Sequence, residues 1–297
     1  LPLVAGELIA VGLAAPDRIG AYAAATGDEQ WSTPSHGGQR LLVPGGGLLH
    51  VLRGNPDPET PSRQVAALDP LSGADVWTHT FESGVPRYPT FDGEFLYYPL
   101  AAEGADTEDE LVVMDPEAGT VERRFQRSVQ SLAPVADGRL YSAQWGGERI
   151  LALDTGTGEV EWETPVSFHH EIETGEPEAV NARYRFGGVT PDRVVVLKHL
   201  HGYRSDAIRG YEPATGREDW RVAPEPADPV VAFNQPIVVG ETVFVTGTMD
   251  PHADSRAGFL HRYDAATGDR LAERSLSSPC FRPPVVASEQ LFVVTWD

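Results

Sequence analysis

Cysteine is nearly absent from this 297-residue chain. Cys280 stands alone, so no intrachain disulfide forms and a Cys-rich metal or redox motif is excluded. Lysine is just as scarce: of 23 basic residues only Lys198 is Lys, and it follows Leu197 rather than Gly, which excludes a Walker A loop. Basic charge as a whole is short, with 44 Asp plus Glu leaving a formal net charge of −21. That excess repels phosphate backbones and anionic headgroups, so neither nucleic acid nor a membrane surface is an expected partner. Apolar runs such as Pro236 to Val239 are strand-sized, far below the roughly 20 residues of a membrane span. No Gly-x-Ser-x-Gly elbow occurs, and Pro44-Gly45-Gly46-Gly47 reads as a hairpin turn rather than a dinucleotide fingerprint. No Asn-x-Ser/Thr acceptor occurs, and no charged, apolar leader precedes the first strand after Leu1.

What is present is acid and Arg. A dense carboxylate surface with Arg in place of Lys suits a salt-adapted protein, because in molar salt the Debye length falls to about 3 Å and the surface no longer repels itself. GC-rich codon usage explains the Arg preference but not the sequence pI near 4.7.

Self-similarity organises the chain. A pattern of an aromatic or aliphatic residue, usually an acid, three variable residues and Gly, often followed four residues later by Trp, occurs six times. The copies run Tyr22 to Gly27 with Trp31, Leu68 to Gly73 with Trp77, Met114 to Gly119 with Arg123, Leu153 to Gly158 with Trp162, Tyr211 to Gly216 with Trp220, and Tyr263 to Gly268 with Ala272. Their spacing of about 48 residues suits a four-stranded propeller blade. Each copy follows a β-rich run, and there are seven such runs: those beginning at Leu8, Leu48, Phe95, Leu140, Val194, Val243 and Leu291. Each unit therefore reads as strand A before a tight turn, strand B in the apolar run, strand C into the acid, and strand D with the Trp.

Asp bonds backbone two residues onward and Gly supplies positive φ, so Asp69, Asp115, Asp154 and Asp264 are read as turn formers. Trp31, Trp77, Trp162 and Trp220 are read as fillers between blades, and the blades carrying Arg123 and Ala272 are expected to pack less tightly. These copies resemble the Trp-docking repeats of the PQQ-like β-propeller family, which includes quinoprotein alcohol dehydrogenases and the outer-membrane assembly lipoprotein of the Bam complex. The resemblance spans essentially the whole chain. It implies an all-β propeller of WD40-like architecture as one domain over residues 1–297, with six complete blades and a partial seventh, and seven or eight in the intact protein. The closing strands are expected upstream of Leu1 or downstream of Asp297.

Strand parity puts A-to-B and C-to-D turns at one end of each blade and B-to-C and D-to-A connections at the other. The first set is short throughout, whereas length collects in the second, in Asn55 to Gln64, Glu103 to Glu110, Phe168 to Tyr184, Leu200 to Ala207 and Met249 to Gly258. That end is the candidate binding face. Aligned B strands place Arg53, Trp145, His199 and Trp296 near it, either as a recognition ring or as ordinary rim packing. His199 and His201 lie two apart at a strand end, but a third ligand is needed for zinc or copper, with His169, His170 and Glu171 the candidates from across the face. Asp250, His252 and Asp254, like Glu103, Asp106, Glu108, Asp109 and Glu110, carry the oxygen donors calcium prefers, yet lack EF-hand spacing and read better as solvated acidic loops.

Two functions remain. The first is a non-enzymatic, monomeric, cofactor-free scaffold that presents the long-loop face to a protein or small ligand in the cell envelope or exterior. The second, implied by the resemblance, is a PQQ- and calcium-dependent alcohol or aldose dehydrogenase. That family typically covers the quinone with a vicinal cysteine pair, where this chain has Cys280 alone, and the only asparagines are Asn55, Asn181 and Asn234.

Overall fold

Each apolar run of the sequence becomes the second strand of an antiparallel sheet, and the repeat motif becomes the turn between the third and fourth strands. The computed structural model describes residues 3–5, 7–13, 18–34, 42–53, 64–87, 89–102, 109–129, 131–132, 135–143, 149–165, 183–199, 205–223, 231–249, 257–287 and 290–295. The chain divides into two compact units, Leu1–Val129 and Gln130–Asp297.

The first unit holds three sheets. Sheet one runs Leu3–Ala5, Leu8–Leu13, Arg18–Ala23 and Glu29–Pro34; sheet two runs Leu42–Gly45, Leu48–Arg53, Gln64–Leu68 and Asp75–Thr80. In sheet three the first strand is split into Val85–Pro86 and Thr90–Phe91, both paired with Leu96–Ala101, and Glu110–Met114 and Val121–Gln126 follow.

The second unit holds two four-stranded sheets, a five-stranded sheet and a two-stranded fragment. Sheet four comprises Ser131–Leu132, Arg139–Ala143, Arg149–Asp154 and Val160–Pro165. Sheet five comprises Arg183–Val189, Val194–His199, Ser205–Tyr211 and Glu218–Val222. Sheet six opens with two short strands, Val231–Phe233 and Ile237–Val239, before Thr242–Met249, Ala257–Asp264 and Arg270–Leu276. The seventh sheet is a pair, Val285–Ala287 with Gln290–Phe292. Six complete antiparallel sheets and a partial seventh match the sequence expectation, except that the first strand is split in two in sheets three and six.

Burial explains the composition of each position. The second and third strands are covered on both faces, so Leu48–Arg53 and Arg149–Asp154 are apolar almost throughout. The fourth strands alternate, as in Glu29–Pro34 and Val160–Pro165, where only the Trp is fully covered. Side chains of neighbouring sheets form shared cores. Ala10, Ile19, Ala21 and Trp31 meet Leu49, Val51, Ala66 and Leu68, while Leu52, Val65 and Phe81 meet Leu96, Tyr98 and Val112. In the second unit Tyr141, Ile150 and Trp162 meet Tyr184, Val194 and Tyr211, and Leu197, Ile208 and Trp220 meet Phe233, Val243 and Tyr263.

One regularity escaped the sequence reading. In all six complete sheets the register of the third and fourth strands shifts at the same place, just before the turn: at Ala21/Tyr22, Ala67/Leu68, Val113/Met114, Ala152/Leu153, Gly210/Tyr211 and Arg262/Tyr263. The extra residue immediately precedes the Trp position, and such a bulge re-aims the side chain that follows it.

Candidate functional site

The repeat turn is built by its acid. Asp69 Oδ1 accepts from the amides of Leu71 and Ser72, Asp154 Oδ1 from Gly156 and Thr157, and Asp264 Oδ1 from Ala266 and Thr267, all at 2.7 to 3.0 Å. Asp115 does the same for Glu117 and Ala118. The Ser72 amide, then its hydroxyl, hold the exposed Asp69 carboxyl below its ordinary pKa. The closing glycines adopt left-handed φ, +71° at Gly73 and +69° at Gly216.

Four of the six turns are also sockets for the preceding sheet. Trp31 Nε1 donates to the Pro70 carbonyl at 2.8 Å, Trp77 to Pro116 at 2.9 Å, Trp162 to Pro213 at 2.8 Å and Trp220 to Ala265 at 3.0 Å. In every case the acceptor is the residue after the turn's acid position. The indole lies flat on the turn's glycine: a Cβ at Gly73, Gly119, Gly216 or Gly268 would overlap the ring of Trp31, Trp77, Trp162 or Trp220. Across the sheet the Trp stands opposite Ala21, Ala67, Ala152 or Gly210. Where Trp is replaced, that small partner is missing too, for Arg123 faces Val113 and Ala272 faces Arg262. The small residue two before the acid was the sequence signal that would have announced the dock. Arg123 instead sets its guanidinium over the Phe95 ring, 4.9 Å from the centroid.

At the opposite end of each sheet lie the long connections. Among the residues singled out there, Arg53 is described in full: it ends its strand opposite Gln64 and its guanidinium pairs with Asp75. His199 closes the strand Val194–His199, with its backbone opposite Arg183 and Ser205. Trp145, His201, Asp250, His252, Asp254, Trp296, Glu103, Asp106, Glu108, His169, His170 and Glu171 lie outside the described residues. Asp109 accepts from the Ala102 amide and the Ser128 hydroxyl, and Glu110 pairs with Arg124 at 2.8 Å, so both act in the sheet.

The dehydrogenase side of the resemblance implies calcium and a quinone. Among the described residues no three His, Cys, Asp or Glu are grouped to hold a metal ion. Asn234 instead donates to Thr246 Oγ1 at 3.1 Å and to the Cys280 carbonyl at 2.9 Å. Thr248 donates to the same carbonyl at 2.8 Å, Thr246 to that of Arg282 at 2.7 Å, and Cys280 is buried. This polar cluster ties the segment leading into the seventh sheet onto the sixth.

One buried base stands out in the first unit. His50, 1% exposed, bonds the Gly45 carbonyl through Nε2 at 2.9 Å, and its Nδ1 has no partner among the described residues. Burial lowers its pKa, outweighing the opposing bond to Gly45, and burial lowers that of half-buried His79 as well. The unfolded chain, with His near 6.5, therefore binds the proton first, and stability present above that pH is lost as pH falls below it; for buried His50 the slope reaches up to about 1.4 kcal/mol per pH unit, and solvent screening makes the contribution of His79 smaller. Urea unfolding between pH 7 and pH 5 will show the decline, and His50→Gln will flatten it.

These sheets, with their turns and interlocking edges, define a β-propeller of four-stranded antiparallel blades. The chain belongs to the family described as outer membrane protein assembly factor BamB, whose sequence model matches residues 15–199 and 204–297. Solved structures agree on the fold. BamB from Moraxella catarrhalis is similar at a TM-score of 0.60 and 16% identity, over 98% of this chain and 77% of that one. A europium-containing methanol dehydrogenase gives 0.59 and 11%, over 97% and 73%, and the quinohemoprotein alcohol dehydrogenase ADHIIG from Pseudomonas putida HK5 gives 0.60 and 14%, over 98% and 61%. No curated protein matches by sequence. No helix among the described residues is long and apolar enough to cross a membrane.

Proposed function

We propose that the protein is a non-enzymatic propeller scaffold whose long-loop end binds another protein or a small ligand of the cell envelope or exterior. The observation that carries this is the division of labour within each sheet. In four of the six complete sheets the turn end is consumed by docking, with its acid, glycine and carbonyl committed to structure. Length and variety are left to the other end, between Arg53 and Gln64, Ala101 and Glu110, Pro165 and Arg183, and Met249 and Ala257. Rigid sheets that carry variable connections lower the entropic cost of recognition. The family's description as an outer membrane assembly factor supports a binding role in the envelope. The acidic surface is read as adaptation to molar salt, where the scaffold works as a monomer without a cofactor.

The test titrates the protein with PQQ in high KCl and calcium, following tryptophan quenching and dye-linked alcohol oxidation, beside a pull-down at the same salt. The expected outcome is no turnover, together with a captured partner that is lost when residues 55–62 are replaced by a tight turn. Saturable quenching with turnover would overturn the scaffold reading in favour of a quinoprotein dehydrogenase.

A further inference from the structure

In every complete sheet one second-strand residue shares a cross-strand row with the Trp position. Register gives that residue as Ala10, Tyr97, Tyr141, Val195 and Phe244 in five sheets, and as His50 in sheet two. His50 stands where the other sheets place an alkyl or phenyl group. Its ring lies 5.4 Å from that of Trp77 at 41°, much as Tyr141 lies 6.0 Å from Trp162 at the same tilt. A carbonyl only accepts, so the bond to Gly45 puts the hydrogen of the neutral ring on Nε2 and leaves Nδ1 bare. A proton arriving at Nδ1 creates a buried cation whose new N–H finds no acceptor among the described residues, a costly state. The bond also reaches the dock. A Cβ on Gly46 would meet Glu117 Cγ at 2.8 Å and Pro116 Cγ at 3.2 Å, so the turn Gly45–Gly47 leans on the very turn whose Pro116 carbonyl holds Trp77.

We propose that His50 is an acid-operated latch: protonation at Nδ1 swings the ring off the Gly45 carbonyl, frees the turn Gly45–Gly47 from Pro116 and releases Trp77, parting sheets two and three at their turn end while the other three docks stay closed. The titratable groups around the row do not offset the charge. On sheet two there is half-buried His79, whose own pKa is lowered by burial and then by Arg124. On sheet three Asp92 is bonded to Tyr97 and to the amides of Glu94 and Phe95, Asp115 to those of Glu117 and Ala118, and Glu110 to Arg124. The Tyr98 hydroxyl is buried, and Glu117 is exposed. None of these bonds or pairs with His50 among the described residues. Burial lowers the pKa of His50 in the closed form, whereas an open form carries His near 6.5 and takes the proton first. Opening is therefore driven as pH falls below about 6.5, by at most about tenfold per pH unit for one proton. The docks of Trp31, Trp162 and Trp220 have Ala10, Tyr141 and Val195 in the same row, and none of these titrates in that range. The latch lies at the turn end, so it stands or falls independently of the loop-face reading.

The test is fluorine NMR of the intact chain with 5-fluorotryptophan at all six tryptophans, titrated in high KCl from neutral pH into acid. The Trp77 signal is the one missing from Trp77→Phe. It is expected to move toward its unfolded position in a one-proton transition with a midpoint below about 6.5, while the signals of Trp31, Trp162 and Trp220 stay in place. His50→Gln keeps an N–H for the Gly45 carbonyl but cannot titrate, and it will hold Trp77 docked across the range. His50→Tyr, the side chain that sheet four uses, will do the same and serves if the Gln variant does not fold. His79→Gln will leave the transition where it is. A Trp77 signal that stays put until the whole chain unfolds, or that moves together with the other three, overturns the latch. So does a transition that survives in a folded His50 variant, or one that vanishes in His79→Gln.

Discussion

Trp162→Ala will unfold the second unit at markedly lower denaturant than the parent protein. The side chain is 9% exposed, packs among Tyr141, Tyr184 and Tyr211, and covers Gly216. Emptying such a site costs about 3 to 5 kcal/mol, because the lost transfer energy is joined by the cavity left behind. Two side chains lean on the same turn and limit its collapse: Thr164 donates to the Gly216 carbonyl at 2.5 Å and Tyr141 to that of Pro213 at 3.5 Å. Trp162→Phe separates the terms. It keeps most of the ring but strands the Pro213 carbonyl, and a loss of about 1 to 2 kcal/mol is expected. Chemical unfolding in high KCl, followed by circular dichroism so that the missing fluorophore does not matter, measures both. Equal effects of Ala and Phe would show that the hydrogen bond, and not the packed ring, holds the dock.

Gly216→Ala should come close to the same destabilisation from the opposite side of the contact. A left-handed residue with a Cβ costs about 1 to 2 kcal/mol, and φ at Gly216 is +69°. The new methyl also overlaps the Trp162 ring and the Thr164 hydroxyl, which adds about 1 to 3 kcal/mol of overpacking. The two contributions separate in a double-mutant cycle. In a Trp162→Ala background only the backbone cost remains, so the pair will couple by about 1 to 3 kcal/mol. Gly138→Ala, with φ +73° but open space around it, supplies the backbone cost alone. If Gly216→Ala costs no more than Gly138→Ala, the indole does not press on the glycine in solution.

Much of the fold was legible because it is written in local chemistry. Strand B runs, Gly turns and the Asp-x-x-x-Gly motif each depend on residues within a few positions of one another, and the structure places them where the pattern did. The blades lacking Trp were legible as well. The dock itself was not, since Pro70 and Pro213 offer only a carbonyl, and a carbonyl leaves no mark on composition. Nor was the bulge before each Trp, which arises only when two strands are laid side by side. Arg53 shows the limit for the candidate site. Its position near the loop end followed from strand parity, but its ion pair with Asp75 joins residues on different strands that no spacing rule connects. The Asn234 cluster likewise ties together residues 12 to 46 positions apart.

The direction of the docks bears on how the chain is made. Each of the four docked indoles reaches forward, to a carbonyl 39 positions later for Trp31 and Trp77, 45 for Trp220 and 51 for Trp162. A ribosome adding about 5 to 20 residues per second therefore leaves each ring without its acceptor for roughly 2 to 10 seconds after the ring is synthesised. Nascent blades mature one step behind translation, each waiting for its successor's turn, and during that lag a freshly made blade offers its indole to whatever chaperone stands at the tunnel exit.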